Sequence, residues 1–201
     1  MIHRNNLPES ISAVCLQLRG WVAALLLLGL AAPASAATRI WDGSSSGSWN
    51  DFNNWVQIIS PRPVFPGDDL VFGPLGARLN TTNDFPAGTA FGLLTFTSPA
   101  YNIYGNALAL NEGITVSHGG GSSSVRVPVT LNSDQTFTVT DPAANLWLGG
   151  GIALNSRTLT LEVEGFTTLD VLSGSGAIVK RGGGIACNAS VLTGAVRRNQ
   201  W

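Results

Sequence analysis

Charged residues and cysteines are scarce in this sequence. Asp, Glu, Lys and Arg together make up 11% of its 201 residues, the formal net charge is −1, and Lys180 is the only lysine. So little positive charge leaves no basic face for a nucleic acid, and we expect no nucleic-acid partner. Of the two cysteines only Cys187 follows residue 36, which excludes a disulfide within that part of the chain.

Helical periodicity is absent after residue 36. No window of about eleven residues there places apolar side chains at i, i+3, i+4 and i+7, so we expect minimal helix. What the sequence does contain is 24 glycines and 44% hydrophobic residues, arranged as short alternating runs between glycine-rich turns. This combination indicates a turn-dense all-β protein rather than a disordered chain.

The first 36 residues have the pattern of a secretory signal peptide. Arg4 and Arg19 precede an apolar run, residues 21–32, and Ala34-Ser35-Ala36 follows as a small-x-small cleavage site. The run is shorter than the roughly 20 residues that a membrane-spanning helix needs. We therefore predict cleavage after Ala36 and export to the periplasm, the cell surface or the extracellular space.

The stretch from Leu146 to Gly184 predicts the architecture. Leu159, Leu161 and Val163 alternate with polar residues, which places the aliphatic side chains on one face of a strand, and glycine-rich turns interrupt the strands at near-regular intervals. A strand of this length cannot bury its apolar face alone, so copies must stack. We predict a parallel β-helix over residues 70–184.

The alternative all-β architecture is an antiparallel β-sandwich. Its hairpins favour two-residue Asn-Gly or Asp-Gly turns, and the only such pair, Asp42-Gly43, lies before the strand region. We predict the GGGSSS run at 119–124 to be a turn. The predicted strands after Leu70–Phe72 are Leu93–Thr97, Tyr101–Tyr104, Leu108–Leu110, Ile114–Ser117, Val125–Leu131 and Phe137–Thr140.

Residues 37–69 combine an aromatic block with a proline-rich loop. Trp41, Trp49 and Trp55 lie among Gly, Ser, Asn and Asp, and three prolines follow. One interpretation is a cap, in which the indoles cover the open N-terminal end of the β-helix core. The other is a binding platform, in which Trp41, Trp49 and Trp55 stack on sugar rings as ligand-binding residues.

Residue patterns along the chain also resemble a known protein family. The opening Trp41-x-Gly43 with Gly47, Trp49 and Trp55, the Pro66-Gly67-Asp68-Asp69 turn, the GLLTF run at 92–96, the YNIYGNALAL run at 101–110 and the closing Gly174-Ser175-Gly176 with Lys180 resemble the passenger region of bacterial proteins built from autotransporter-associated β-strand repeats. The closing element is the most specific part of this resemblance.

The resemblance implies a right-handed parallel β-helix that is exported and displayed at or beyond the outer membrane. It implies a non-catalytic structural passenger or stalk, with no catalytic residues and no cofactor. The alternative function is an adhesin-like module that binds surface glycans or a host or environmental matrix. We expect a monomer, with membrane contact only through a C-terminal translocator that this chain lacks.

The last residues depart from the family pattern. After Gly184 the alternation is lost, and we expect 185–201 to be a divergent, disordered tail of a truncated or frame-shifted member. Cys187 lies within it, isolated from any metal partner.

Few residues have the pattern of a catalytic or metal site. Asp68 and Asp69 are expected to serve a turn, Glu162 and Glu164 to lie on a solvated strand face, and His118 to be a surface turn histidine. No G-x-S-x-G elbow or metal-ligand spacing accompanies them. We therefore predict no catalytic residues and no bound metal.

Overall fold

The computed structural model describes residues 36–56, 63–188 and 196–199. The predicted signal peptide, apart from Ala36, lies outside the described residues. Within them the only helical element is one 3-10 turn, Phe52–Asn54, which agrees with the expected lack of helix. None of the described helical segments is long and apolar enough to cross a membrane.

Short strands make up most of the described chain. They are β1 (Thr38–Trp41), β2 (Asp69–Phe72), β3 (Asn80–Asn83), β4 (Thr89–Phe96), β5 (Asn102–Gly105), β6 (Leu108–Val116), β7 (Gly121–Val125), β8 (Val129–Leu131), β9 (Gln135–Val139), β10 (Ala144–Leu148), β11 (Ile152–Ala153), β12 (Thr158–Val163), β13 (Phe166–Leu169), β14 (Leu172–Ser173), β15 (Gly176–Arg181), β16 (Ile185–Asn188) and β17 (Val196–Asn199).

These strands form a β-solenoid of about 5 turns. The larger sheet runs β1-β2-β4-β6-β9-β12-β15-β17, and its branch β8-β11-β14 joins through β6. The smaller sheet, which we call the second sheet, runs β3-β5-β7-β10-β13-β16. All pairings between the strands named above are parallel, which confirms the predicted β-helix and excludes the antiparallel sandwich.

The core consists of in-register rows of apolar side chains that run through successive turns. One row contains Leu70, Leu94, Ile114, Phe137 and Leu161, all buried. Each step along it advances the chain by 20 to 24 residues, a repeat length typical of solenoids. Since burying one such side chain stabilises the fold by about 1.5–3 kcal/mol, each added turn contributes several of these increments.

The alternation of apolar and polar residues that predicted strands also identifies the side chains of the interior rows. Leu159, Leu161 and Val163 of β12 are buried, while Glu162 between them is exposed. The interpretation of 119–124 as a turn was wrong in part, because Gly121–Val125 is strand β7. Its Ser residues lack β propensity, and tertiary pairing with β5 and β10 overrides that preference.

The parallel stack begins before residue 70. Strand β1 pairs with β2, and Ser48 forms a parallel bridge to Thr82 of β3, so residues of the segment 37–69 make the first turn. The disorder expected over 185–201 is corrected where the structure describes that segment. Strand β16 pairs with β13, and β17 pairs with β15.

The strand register continues into the last described strands. Leu161 aligns with Lys180, Leu169 with Asn188 and Ile178 with Arg198. Lys180 donates a hydrogen bond to the Gly182 carbonyl.

Gly113 is required where β6 bends between two sides of the solenoid. Its φ is +130°, and an added Cβ would lie 2.3 Å from the Thr136 carbonyl oxygen of the next turn. We expect Gly113→Ala to lower the free energy of unfolding by about 1–3 kcal/mol more than Gly88→Ala. Gly88 also has positive φ, +82°, but a Cβ added there would meet nothing within 4 Å, which makes it the matched control. Urea denaturation of both variants measures the difference, and equal losses would contradict the close-approach explanation.

Candidate functional site

The three tryptophans of the N-terminal block lie in the core. Trp41, Trp49 and Trp55 are 0%, 0% and 1% exposed. Each indole N–H donates a hydrogen bond: Trp41 to the Arg78 carbonyl at 2.9 Å, Trp49 to the Thr81 hydroxyl at 3.0 Å and Trp55 to the Trp49 carbonyl at 2.8 Å. Burial without loss of hydrogen bonding is what a structural indole needs.

Ring contacts join the tryptophans to the first turns of the solenoid. Trp41 meets Trp55 edge-on with centroids 5.1 Å apart, and Trp49 lies 5.6 Å from Phe72 and 5.5 Å from Phe91. The predicted aromatic cap is therefore the first turn of the stack. A sugar cannot stack on a ring without exposed surface, so Trp41, Trp49 and Trp55 do not form the platform of the alternative interpretation.

Asp68 and Asp69 hold the turn that enters β2, as their sequence context predicted. Asp68 is buried and accepts hydrogen bonds from the backbone N–H groups of Ala37 and Phe65 and from Arg39 Nε at 3.2 Å. Asp69 Oδ1 accepts the Leu93 N–H at 2.8 Å. These carboxylates stabilise the fold between the first and second turns.

His118 is not the surface histidine that the sequence suggested. It is 3% exposed, its Nδ1 lies 2.8 Å from the Gly120 carbonyl oxygen, and its Nε2 lies 3.1 Å from the Ser123 hydroxyl. Because Nδ1 must donate to the carbonyl, Nε2 accepts from Ser123 when the ring is neutral. His118 thus satisfies a serine that points into the core from β7.

Glu162 and Glu164 lie at the surface as expected, where each contacts a neighbouring turn. Glu162 Oε1 lies 3.4 Å from Arg181 Nη1, with both side chains largely exposed, and Glu164 accepts the Gly183 N–H at 3.3 Å. An exposed ion pair of this kind contributes little stability. Among the described residues there is no group of three or more His, Cys, Asp or Glu placed to hold a metal ion.

The outer face of the second sheet carries two exposed aromatic residues. Tyr104 of β5 and Trp147 of β10 are 40% and 38% exposed. A groove of about 270 Å³ lies beside Trp147, and Tyr104 is not part of its lining. Its lining comprises Asn102, Ser122, Ser123, Ser124, Arg126, Asn145, Leu146, Trp147, Phe166 and Thr168.

Three successive turns contribute an aromatic and cationic cluster, of which Arg126 and Trp147 line this groove. The guanidinium carbon of Arg126 lies 4.4 Å from the Trp147 ring centroid and 5.5 Å from that of Tyr104. Arg126 Nε donates to Ser124 Oγ at 3.2 Å and to Asn102 Oδ1 at 3.3 Å. The guanidinium is therefore held in a defined orientation by stacking and by hydrogen bonds through one nitrogen.

Sequence reasoning missed this cluster. Tyr104, Arg126 and Trp147 are more than 20 residues apart along the chain, and only the register of β5, β7 and β10 brings them together. The one local signal was Leu146-Trp147-Leu148, in which alternation places the indole opposite two buried leucines.

Comparison of the chain with protein-family models, with curated proteins and with solved structures finds no match. Its function is therefore inferred from the geometry of the described residues.

If the N-terminal tryptophans form a cap, replacing Trp49 should destabilise the fold much more than replacing Trp147. Trp49→Ala should lower the free energy of unfolding by about 3–5 kcal/mol, because it opens a cavity among buried rings. Trp147→Ala, on the exposed face, should cost about 1 kcal/mol or less. Urea denaturation followed by far-UV circular dichroism compares the two variants, and similar costs would contradict the cap.

Because Tyr101 is buried, we expect the fold to lose stability at alkaline pH. Tyr101 is buried and its hydroxyl donates to the Gly73 carbonyl at 2.6 Å. Burial raises the pKa of Tyr101 above its usual value of 10.0, and a backbone hydrogen bond at Gly76 opposes the shift. A raised folded-state pKa gives stability that is complete below pH 10 and is lost as pH rises through that pKa.

Denaturation midpoints measured from pH 8 to pH 11 should therefore fall more steeply for the native chain than for Tyr101→Phe. The variant lacks the Tyr101 hydroxyl, whereas all other ionisable groups are common to both proteins. Parallel curves would show that Tyr101 ionisation is not coupled to unfolding.

Proposed function

We propose that this chain is a non-catalytic structural module of an exported bacterial surface protein, a passenger or stalk segment whose stability grows with each stacked turn. The observation that carries the proposal is that polar side chains bind neighbouring parts of the solenoid. Asp68, His118 and Glu162, which are residue types that could do chemistry, each contact a neighbouring backbone or side chain that belongs to a turn. Asp68 and Glu162 connect neighbouring turns and His118 holds a corner, and the three do not converge on one cleft.

The capped start of the stack supports the same proposal. The aromatic first turn covers the N-terminal end of the interior rows, and the solenoid continues from it in one direction through parallel pairing. A stack of this kind can be lengthened by adding turns, because each turn contacts only its neighbours. The resemblance to autotransporter-associated repeats favours display at or beyond the outer membrane as the setting.

A second candidate function is an adhesin-like glycan-binding module. The exposed Tyr104, Arg126 and Trp147 on the second sheet favour it, whereas the buried Trp41, Trp49 and Trp55 do not. The two functions are compatible, since one sheet face can bind a ligand while the interior stacks.

Export and a structural role can be tested together in a bacterial host with an outer membrane. We expect the full gene to yield a product whose N-terminus is Ala37, found outside the cytoplasm. Protease should digest the native fold slowly between residues 70 and 184, because the strands there are paired into the two sheets. A polysaccharide panel incubated with it should release no reducing ends and no unsaturated products.

A cytoplasmic, uncleaved product would contradict the export proposal. Release of sugar products at a rate that depends on protein concentration would contradict the non-catalytic proposal. As a control for export, Leu25→Arg within the apolar run should retain the product in the cytoplasm without altering the solenoid.

A further inference from the structure

The groove on the second sheet exists because β7 presents small side chains between two strands with larger ones. Ser122 and Ser124 of β7 lie next to Asn145 and Trp147 of β10 in the sheet register. On the other side Ser124 is paired with Asn102 of β5. The serine run therefore makes a depression in an otherwise continuous outer face.

The serine run of β7 also places a polar side chain in the interior of the solenoid. Alternation along β7 points Ser123 inward, opposite the buried Leu146 of the next turn. A buried hydroxyl without a partner costs about 1–3 kcal/mol, and His118 supplies the partner. The serine strand is thus a supported feature of the fold.

Aromatic surface and hydrogen-bonding groups line the depression together. Trp147 and Phe166 provide apolar surface from β10 and β13, and Asn102, Asn145 and Thr168 provide amides and a hydroxyl. The alternation of apolar C–H faces with hydroxyl groups around a sugar ring matches such a lining.

The charge of the groove is positive. Arg126 is its only charged residue, since no Asp or Glu lines it. Among the described residues Arg126 has no ion pair, and its hydrogen bonds to them engage Nε only. The two terminal nitrogens of an exposed guanidinium are suited to a carboxylate, which accepts both N–H groups at once.

We propose that this groove binds an acidic saccharide, a short segment of a hexuronate-containing glycan, with its carboxylate on Arg126 and a sugar ring against Trp147. The inference deepens the glycan-binding function, on which it rests, by naming the ligand class and the residues that select it. It does not depend on the structural role of the stack.

Other classes of ligand fit the groove less well. A peptide that adds a strand needs unpaired backbone groups at a sheet edge, whereas the groove lies on the face of paired strands. Single-stranded nucleic acid needs a cation for each successive phosphate, and the groove offers one. A neutral sugar has no carboxylate to accept hydrogen bonds from the guanidinium.

The test is isothermal titration of the purified full chain with tetragalacturonic acid and with maltotetraose, a neutral tetrasaccharide that has the same type of 1,4-linkage. We expect a dissociation constant of about 1 mM or lower for the acidic sugar, and binding at least about tenfold weaker for the neutral one. Affinity for the acidic sugar should fall as NaCl is raised from about 20 to about 300 mM.

Three variants identify the residues involved. Arg126→Gln should weaken binding of tetragalacturonic acid at least about tenfold, whereas Arg157→Gln, which removes the same charge at an exposed turn away from the groove, should leave binding unchanged. Ser122→Tyr should block binding by filling the depression at an exposed strand position that tolerates an aromatic residue. Circular dichroism and the melting temperature of each variant establish that it is folded.

Each failure has a distinct meaning. Equal binding of the two sugars, or equal effects of Arg126→Gln and Arg157→Gln, would overturn the acidic ligand while leaving a glycan-binding function in place. Absence of binding to both sugars by the folded native chain would overturn the groove and the glycan-binding function together. Unchanged binding by a folded Ser122→Tyr variant would place the ligand elsewhere on the protein and so overturn the groove as its site.

Discussion

Stacking of like side chains in register is the interaction on which the structure depends. Trp41, Phe72 and Phe96 occupy one interior row, followed by Val116, Val139 and Val163. The rings of Phe72 and Phe96 lie parallel to within 22° at 5.4 Å, close to the spacing of neighbouring strands. An interior side chain is therefore covered only when the turns before and after it keep the same register. Within the described residues no turn precedes the first one, and its Trp49 packs against Phe72 and Phe91 of the turns that follow.

The same constraint explains where the polar residues of the interior are found. Burying a charge or a hydroxyl is costly unless a partner is supplied, and in a narrow solenoid the partner must come from an adjacent turn or corner. Arg39 pairs with Asp68 across the first two turns, and His118 meets Ser123 at the corner before β7. Groups with potential for chemistry thereby join neighbouring turns, as Asp68 does, or hold a corner, as His118 does.

Much of this architecture was predictable because a strand that stacks must alternate. The alternating Leu159, Leu161 and Val163 predicted a buried face, and the glycine-rich corners predicted the breaks between strands. Strand β3, with the sequence NTTN, was not predictable, since its polar residues carry no apolar pattern. Thr81 is buried because β3 pairs with β5 and the Trp49 indole donates to its hydroxyl. The burial of the tryptophans was one of two interpretations, and composition could not separate a ring that covers a core from a ring that faces a ligand.

The groove residues were not predictable for a related reason. Stacking restricts the inward positions strongly and the outward positions weakly, so the outer face carries no pattern that marks a site. Tyr104, Arg126 and Trp147 come from three successive turns and meet only because those turns keep register. A shift of one residue in any of them would reverse which side chains face outward. The binding surface thus depends on the interior rows that it does not touch, and a change of turn length between β5 and β10 would remove the surface before it unfolded the stack.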